Sequence, residues 1–276
     1  MSYIETQDTS LTRATGSVKL HGPAAFEGMR RAGQLAAACL DMLTEHVKPG
    51  ITTNEINRLA HDFVMDNGGI PATVFYRGYR YSSCISLNEV VCHGMPSERE
   101  LRDGDILNID VTPIVDGWHG DTSRMYYAGE VSLKAHRLVE VTYDAMMHGI
   151  ATVRPGSKTG DLGRAIQAYA EAHSYSVVRD FCGHGLGKVF HDAPNILHYG
   201  QAGTGLALRE GMIFTVEPMI NAGKWQVKLK DDGWTAVTKD RSLSSQFEHS
   251  VGVTSTGVEI FTTSPQGLHK PPYGQT

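Results

Sequence analysis

The sequence predicts an α+β fold built from two similar halves, related by a pseudo-two-fold axis, with helices covering a central antiparallel sheet. Two observations predict this architecture. The run Val47-Lys48-Pro49-Gly50 returns as residues 153–156, and residues 101–106 return as residues 208–213, so the chain repeats itself at a nearly constant offset. The second observation is Asp116-Gly117 between alternating apolar and polar residues, a strong signal for a tight hairpin in an antiparallel sheet.

Length, charge and cysteine usage limit the class of protein. A chain of 276 residues with 41% hydrophobic side chains can bury the core of one large domain. The net charge of −5, without any basic run, argues against a nucleic-acid-binding surface. No segment is apolar enough to predict a targeting or membrane-spanning helix. We expect a cytoplasmic protein with four reduced thiols, because no CxxC spacing links Cys39, Cys84, Cys92 and Cys182.

The chain divides into an extension, a domain and a tail. The polar residues 1–22 are expected to form a loose N-terminal extension. A single catalytic domain is expected over residues 23–276, with halves of 23–130 and 131–262 and a C-terminal tail from residue 263.

Helices and strands follow from apolar periodicity. An apolar stripe at three- and four-residue steps predicts a helix from near Ala24 to Pro49-Gly50. A second helix is predicted after Thr52, with Glu55 in capping-box register, and its apolar face repeats at Leu162, Ala165, Ile166 and Tyr169. Residues 72–92 are expected to be strand-like.

The first candidate site follows from the hairpin. With Asp116-Gly117 as its loop, Thr112 faces Asp121, and Asp110 lies on the same face because side chains alternate along a strand. Asp110 and Asp121 then sit diagonally across the pair, roughly 7–8 Å apart at Cα. Two carboxylates so placed repel each other unless a cation lies between them. Alone, such a pair would more often be part of a solvated hairpin face.

The repeat adds two more acids. Glu217 is the equivalent of Asp110 in the second half. A second hairpin, with its turn at 231–233, leads to Glu248, which we expect to be the counterpart of Asp121. Four carboxylates converging in a sheet core cannot stay ionised without cations.

His184 adds a nitrogen donor between the two strand systems. Glycines on both sides leave its imidazole room to bind a metal. The set has mostly oxygen donors, one nitrogen and no thiolate, which favours Mn, Fe(II), Co or Zn. Bridging carboxylates would hold two such ions roughly 3.5–4 Å apart, the spacing of hydrolytic two-metal sites.

Four blocks of the sequence are distinctive: NIDV…HGDTSRM, CGHGLGKVFHDAP, FTVEPM and SQFEHSV. Through these blocks the chain resembles, from about Pro23 to Thr262, the bacterial type I methionine aminopeptidases. The resemblance implies the pita-bread fold and metal-dependent removal of the initiator methionine from peptides and nascent chains, with a small second residue preferred. In this family a water or hydroxide that bridges the metals attacks the scissile carbonyl.

The resemblance also implies roles for the candidate ligands. Two divalent ions are expected in each chain. Asp110 and Asp121 would bind one of them, Asp121 and Glu248 would bridge, and His184 and Glu217 would complete the second site. Glu217 would in addition carry the proton of the attacking water.

Further residues are implied by the same resemblance. His93 would contact the substrate near the scissile amide, and His191 would stabilise the developing oxyanion. Thr73 stands where some relatives have a pocket cysteine. Main-chain oxygens near Asn88, Val90 and Ser244 would hold a monovalent cation, sodium or potassium. The methionine pocket would be formed by Tyr76, Tyr79, Cys84, Phe190 and Trp234.

Related enzymes differ in ways that the sequence can test. Proline dipeptidases and creatine hydrolases carry a large N-terminal domain, and type II methionine aminopeptidases insert a helical subdomain between the ligands equivalent to His184 and Glu217. These two residues are only 33 positions apart here. Two alternatives stay open: an aminopeptidase with another first-residue preference, and a non-catalytic peptide-binding module.

We expect a monomer that contacts the ribosome transiently and binds neither membrane nor nucleic acid.

Overall fold

A computed structural model describes residues 1–6 and 16–273 of the chain. Within these residues four helices, α1 to α4, cover Pro23–Leu43, Thr53–Asp66, Leu133–Ile150 and Thr159–Ala172, and a 3₁₀ turn covers Thr73–Phe75. The strands of the described part, β1 to β19, are Tyr3–Thr6, Val18–His21, Ile70–Pro71, Ser83–Leu87, Val90–Cys92, Asp105–Val111, Pro113–Val115, Trp118–His119, Thr122–Ala128, Ser176–Val177, Gly183–Gly185, Asp192–Ile196, Ile213–Val216, Met219–Asn221, Val227–Leu229, Ala236–Thr238, Ser244–Gln246, His249–Val253 and Val258–Ile260.

Antiparallel sheets from the two halves meet at the centre of the molecule. The first half contributes β4-β6-β9, and the second contributes the five-stranded sheet β12-β11-β13-β18-β19. They join where Ser123 pairs with Glu248, at the start of β9 and β18. The Glu248 amide donates to the Ser123 carbonyl at 3.1 Å, and the Thr122 hydroxyl donates to the Glu248 carbonyl at 2.6 Å. The predicted α+β class is confirmed.

Equivalent hydrogen bonds show that the two halves repeat one design. α2 and α4 have the same length of 14 residues. The Gly50 amide before α2 donates to the Leu101 carbonyl at 2.8 Å, and the Gly156 amide before α4 donates to the Leu208 carbonyl at 2.9 Å. The internal repeat in the sequence therefore reflects a structural duplication.

The helices α1 and α2 begin where the sequence predicts. Pro23 occupies the first turn of α1, where its missing amide hydrogen costs nothing. Thr52 caps α2, because its hydroxyl accepts the Glu55 amide at 3.1 Å. Ser132 caps α3 in the same way, accepting the Ala135 amide at 3.2 Å.

The first hairpin has the predicted register. Val115 pairs with Trp118, and the Thr112 hydroxyl donates to Asp121 Oδ1 at 2.7 Å. The hairpin lies directly against α1, because a Cβ atom at Gly120 would come within 2.1 Å of the Ala32 carbonyl oxygen. Only glycine allows this approach, which fixes the depth of the neighbouring Asp121 in the fold.

The strand prediction for residues 72–92 is wrong in its first half. The alternating tyrosines imitate a strand, but Thr73–Phe75 forms a 3₁₀ turn and the Tyr79 amide closes a second turn on the Tyr76 carbonyl. Arg77 and Gly78 both have positive φ, +47° and +86°, which is incompatible with an extended strand. The first strand of this region begins only at Ser83.

The N-terminal segment is not loose where the structure describes it. β1 and β2 pair in parallel. The β2 residues Val18 and Leu20 are buried in the main hydrophobic core, so the domain begins before the predicted boundary at residue 23. Residues 7–15 of the predicted extension lie outside the described residues.

The C-terminal tail is also packed on the domain. The Ser264 hydroxyl donates to the Asp41 carboxylate in α1 at 2.8 Å, and the Tyr273 hydroxyl donates to the Met125 carbonyl at 2.9 Å. Residues 274–276 of the predicted tail lie outside the described residues. Among the helices of the described ranges, none has both the length and the apolar character required to span a membrane.

Candidate metal centre and active site

The five predicted ligands lie on five different chain segments that end at one cavity. Asp110 lies in β6, Asp121 just before β9, His184 in β11, Glu217 just after β13 and Glu248 just before β18. All five line a cavity of about 520 Å³. The prediction that these side chains converge at the junction of the two halves is supported by this arrangement.

Distances within the cluster fit a shared metal centre. His184 Nε2 lies 3.5 Å from Asp121 Oδ2 and 3.5 Å from Glu217 Oε1. Donor atoms of Asp121, His184 and Glu248 all lie within 4.8 Å of one another. Asp110 Oδ1 is buried and has no hydrogen-bond partner in the described residues. A buried carboxylate oxygen without a partner needs a compensating charge, which a divalent cation would supply.

Two threonines and a histidine fix the orientation of the acids. The Thr112 hydroxyl donates to Asp121 Oδ1 at 2.7 Å, and the Thr215 hydroxyl donates to Glu217 Oε1 at 2.7 Å. The buried His198 accepts the Glu217 amide at Nε2, at 3.0 Å. Our sequence analysis missed Thr215 and His198. Thr215 could have been found, because it lies two residues before Glu217 on one strand face, but nothing in the sequence marks His198.

Strand register corrects one predicted correspondence. Asp110 pairs with Ser123 across β6 and β9. In the second half, Val216 pairs with His249 and Met219 pairs with Gln246, so the same register brings Glu217 opposite Glu248. The structural counterpart of Glu248 is therefore Ser123. The expectation that Glu248 corresponds to Asp121 is therefore wrong by two residues along the strand. The Asp121 and Glu248 carboxylates nevertheless line the same cavity.

Burial shifts every titratable group in the cluster towards its neutral form. It raises the pKa of Asp110, Glu217 and Glu248 well above the ordinary range, and the charges of neighbouring acids raise them further. Burial also raises the pKa of Asp121 from 3.8 to about 7 and lowers that of His184 to about 4. A neutral imidazole among acids whose ionised form a cation would stabilise is a donor set suited to Mn, Fe(II), Co or Zn.

Metal ions are expected to stabilise the fold more strongly at about pH 7.5 than at about pH 5, because binding requires deprotonated ligands. Folding raises the pKa of Asp121 from 3.8 to about 7. In metal-free protein, the stabilisation that the protonated Asp121 carboxyl gives to the fold is fully present below pH 3.8. It is lost as the pH rises through about 7. A bound cation offsets this loss. The melting temperatures of metal-stripped and metal-loaded protein are measured at both pH values. An equal increase in melting temperature on metal loading at both pH values would contradict the prediction.

The two predicted catalytic histidines line the same cavity. The His191 ring centroid lies 4.2 Å from that of His184 and 4.6 Å from that of Tyr76, and burial lowers the pKa of His191 to about 2. His93 has φ of +55°, and its ring meets those of Phe181 and Trp234 edge-on. Burial lowers the pKa of His93 too. Both imidazoles are therefore neutral near pH 7, and each carries one N–H donor.

Aromatic side chains surround the rest of the cavity. The Tyr79 and Trp234 rings meet edge-on with centroids 5.1 Å apart. Asp232 shapes the turn that presents Trp234, because its Oδ1 accepts the Trp234 amide at 2.9 Å. Thr73 also lines the cavity. All five predicted pocket residues are lining residues, and the structure adds Arg77, Asp180, Phe181, Cys182 and Met219 to them.

Other sequence predictions have separate outcomes. His119 Nδ1 lies 2.9 Å from the Gly187 carbonyl oxygen, and the His119 ring stacks on Phe190. The Ser244 amide donates to the Asn88 carbonyl at 2.8 Å. Strand β5, which begins at Val90, pairs with β16 and contacts β17, the strand that begins at Ser244. A monovalent cation at Asn88, Val90 and Ser244 stays a prediction. All four cysteines are free thiols, as predicted.

Comparison with known proteins assigns the family. The sequence model of metallopeptidase family M24 matches residues 27–255. A methionine aminopeptidase of Rickettsia prowazekii is 60% identical over 258 residues, which are 93% of this chain and 100% of that protein. The chain belongs to the methionine aminopeptidases of metallopeptidase family M24.

Solved structures agree with this membership. The crystal structure of the Rickettsia prowazekii methionine aminopeptidase superposes with a TM-score of 0.88 at 60% identity, covering 89% of this chain and 99% of that one. The crystal structure of the Thermotoga maritima methionine aminopeptidase gives a TM-score of 0.87 at 37% identity, with the same two coverages. The predicted pita-bread fold, bacterial type I family and metallo-aminopeptidase class are confirmed.

Proposed function

We propose that this chain removes the N-terminal methionine from peptides and nascent proteins, in a metal-dependent hydrolysis that requires a small second residue. One observation carries the proposal. Four carboxylates, three of them on buried residues and the fourth with one buried oxygen, converge with a neutral histidine on a cavity that also has several aromatic walls. The acid cluster supplies a place for peptide hydrolysis, and the aromatic walls supply a place for one apolar side chain. Relatives named as methionine aminopeptidases support the same activity.

We infer that two divalent ions bind in each chain. Asp110 and Asp121 would hold one, His184 and Glu217 would hold the other, and Asp121 and Glu248 would bridge them. When bound, the ions would lower the pKa of a water and polarise the substrate carbonyl. The donor chemistry suits Co, Mn, Fe(II) or Zn.

The protein's own groups then move protons and stabilise charge. Glu217 takes a proton from the attacking water as a C–O bond forms at the scissile carbonyl carbon. The C–N bond breaks, and the proton is delivered to the leaving amine. The neutral His191 donates its N–H to the carbonyl oxygen as negative charge develops there, and His93 contacts the substrate beside the scissile amide.

The shape of the cavity accounts for the expected specificity. A methionine side chain is flexible, and its polarizable sulfur gains from contact with aromatic rings. Tyr76, Tyr79, Phe190 and Trp234 supply those rings, and Cys84 adds a buried thiol to the wall. The second residue of the substrate must sit at the mouth beside the acid cluster, so a large side chain there would prevent binding.

Compartment and partners follow from the same proposal. Four unpaired cysteines suit the reducing cytoplasm. The initiator methionine is exposed as a chain leaves the ribosome, so we infer transient contact with the ribosome. A monomer suffices, because every ligand and lining residue named here comes from one chain. We also infer a sodium or potassium ion near Asn88, Val90 and Ser244.

A peptide competition tests the specificity. Met-Ala-Ser, Leu-Ala-Ser, Pro-Ala-Ser and Met-Phe-Ser are mixed at equal concentration with metal-loaded protein, and the released amino acids are separated. Release of methionine from Met-Ala-Ser alone is the expected result. Release of leucine or proline in preference would show an aminopeptidase with another first-residue preference.

Replacing His191 with alanine is expected to lower turnover of Met-Ala-Ser by about a hundredfold while metal content stays unchanged, because one donor to the oxyanion is lost. The measurements are steady-state kinetics and metal analysis on the same sample. His148→Ala is a suitable comparison, because this histidine is exposed on α3, its ring stacks on Tyr169 and it does not line the cavity. A loss of metal from His191→Ala would make His191 a ligand and contradict its assignment.

A further inference from the structure

A buried ion pair joins the N-terminal strand β2 to the active-site loop. Lys19 Nζ lies 2.7 Å from Asp192 Oδ2, and both side chains are 6% exposed. Asp192 follows His191 directly and begins β12. Its other oxygen, Oδ1, accepts the Ala193 amide at 2.9 Å. The carboxylate thus has a fixed direction, and the Lys19 ammonium is the charge that balances it.

The loop that carries His191 has few other anchors. At its start, the Leu186 amide donates to the Ile213 carbonyl at 3.1 Å, and the Gly187 carbonyl accepts the His119 amide at 3.0 Å. From Lys188 to His191, no main-chain hydrogen bond to another main-chain group occurs within the part of the chain that the structure describes. The position of the His191 ring therefore depends on ring contacts and on the anchor at Asp192.

Strand β2 is itself held firmly enough to serve as a support. The His21 amide donates to the Gly211 carbonyl at 2.7 Å, and the His21 ring meets that of Trp118 edge-on. Val18 and Leu20, on either side of Lys19, are buried in the core. The ammonium group is thus presented from a rigid element and not from a free N-terminal segment.

We propose that Lys19 is a positioning residue for catalysis, which holds Asp192 and through it sets the place of His191 over the metal centre. The inference rests on the proposed function, in which His191 stabilises the oxyanion. It also gives the N-terminal segment a role in the reaction, which composition alone does not indicate. A displacement of about 1 Å at a catalytic group can cost about a hundredfold in rate, so a small shift of the loop would be measurable.

The test removes the charge of Lys19 while keeping most of its volume. Lys19→Met leaves the Asp192 carboxylate buried and uncompensated, so the start of β12 is expected to shift. We expect kcat for Met-Ala-Ser to fall about ten- to hundredfold, with KM and metal content nearly unchanged. Lys19→Arg, which keeps the charge, is expected to retain most of the activity. Lys19→Met/Asp192→Asn, which leaves no unpaired charge, is expected to recover part of kcat.

A control variant shows the effect of removing a lysine from an ion pair that does not involve the active-site loop. Lys270 Nζ lies 3.0 Å from Asp144 Oδ1, between the C-terminal tail and α3; both side chains are about one-third exposed, and neither residue lines the cavity. Lys270→Met is expected to leave kcat unchanged. Melting temperatures of all variants are recorded, so that kinetic changes are compared at temperatures where every variant is folded.

The outcomes distinguish the inference from the function on which it rests. If the unmodified protein releases no methionine, the proposed function fails. If it does release methionine and Lys19→Met keeps full kcat while folded, the positioning role is wrong. Loss of metal from Lys19→Met, or a rise in KM alone, would also contradict it, because neither is expected from a displaced His191.

Discussion

Replacing Asp110 with asparagine is expected to lower turnover of Met-Ala-Ser by at least about a hundredfold and to remove one of the two proposed metal ions, because a neutral amide replaces a charged candidate ligand. Asp110 Oδ1 is buried without a hydrogen-bond partner in the described residues, so no protein group can take the place of the cation. Metal content is measured by elemental analysis after dialysis, and turnover by release of free methionine.

The same hairpin supplies the control for this variant. Asp116 lies at the turn with φ of +50°, and its side chain is 66% exposed in contact with Arg31. Asparagine tolerates positive φ, and an exposed ion pair contributes little to stability. Asp116→Asn should therefore retain both metals and full activity. Near-normal turnover in Asp110→Asn would show that the metal centre lies elsewhere.

Replacing Arg124 with methionine is expected to lower the free energy of unfolding by about 3–5 kcal/mol, because it leaves a buried carboxylate without its partner. Arg124 Nη1 donates to Asp41 Oδ1, and the two side chains are 2% and 0% exposed. Arg124 Nη2 also donates to the Ala37 carbonyl at 3.3 Å. The pair ties β9 to α1, while Ser264 adds the C-terminal tail to the same carboxylate.

Denaturant unfolding of the metal-stripped protein measures this loss directly. Arg58→Met is the comparison, because Arg58 pairs with Glu55 and Asp62 on the exposed face of α2, and its removal should leave the midpoint unchanged. Arg124→Met/Asp41→Asn should recover part of the stability. A midpoint for Arg124→Met equal to that of the unmodified protein would mean that the buried pair is not needed for folding.

Local signals in the sequence were sufficient to predict the hairpin and the duplication. Asp116-Gly117 sets the register of its strands, because a two-residue loop allows only one pairing and each side chain's face follows from it. The repeated turns at Gly104 and Gly211 have nearly equal φ of +90° and +87°, a conformation that glycine favours. The repeat therefore records backbone requirements that both halves share.

Contacts between residues far apart in the sequence could not be predicted from it. The N-terminal segment is polar, and nothing in its pattern shows that β2 enters the core or that Lys19 reaches Asp192, 173 positions later. The turns at residues 73–79 were hidden by alternating tyrosines, because positive φ at Arg77 is unusual outside glycine. The pairing of Ser123 with Glu248 depends on how the two sheets meet, which no single strand specifies.

The measurement that tests the account most directly is hydrolysis of Met-Ala-Ser by metal-stripped protein, titrated separately with Mn(II), Fe(II), Co(II) and Zn(II). The account predicts no release of methionine without metal, and release that saturates at about two ions per chain with at least one of these metals. The matched peptide Met-Phe-Ser should stay intact throughout. Metal binding without release of methionine from Met-Ala-Ser at any concentration would contradict the account and favour a protein that holds peptides without cleaving them.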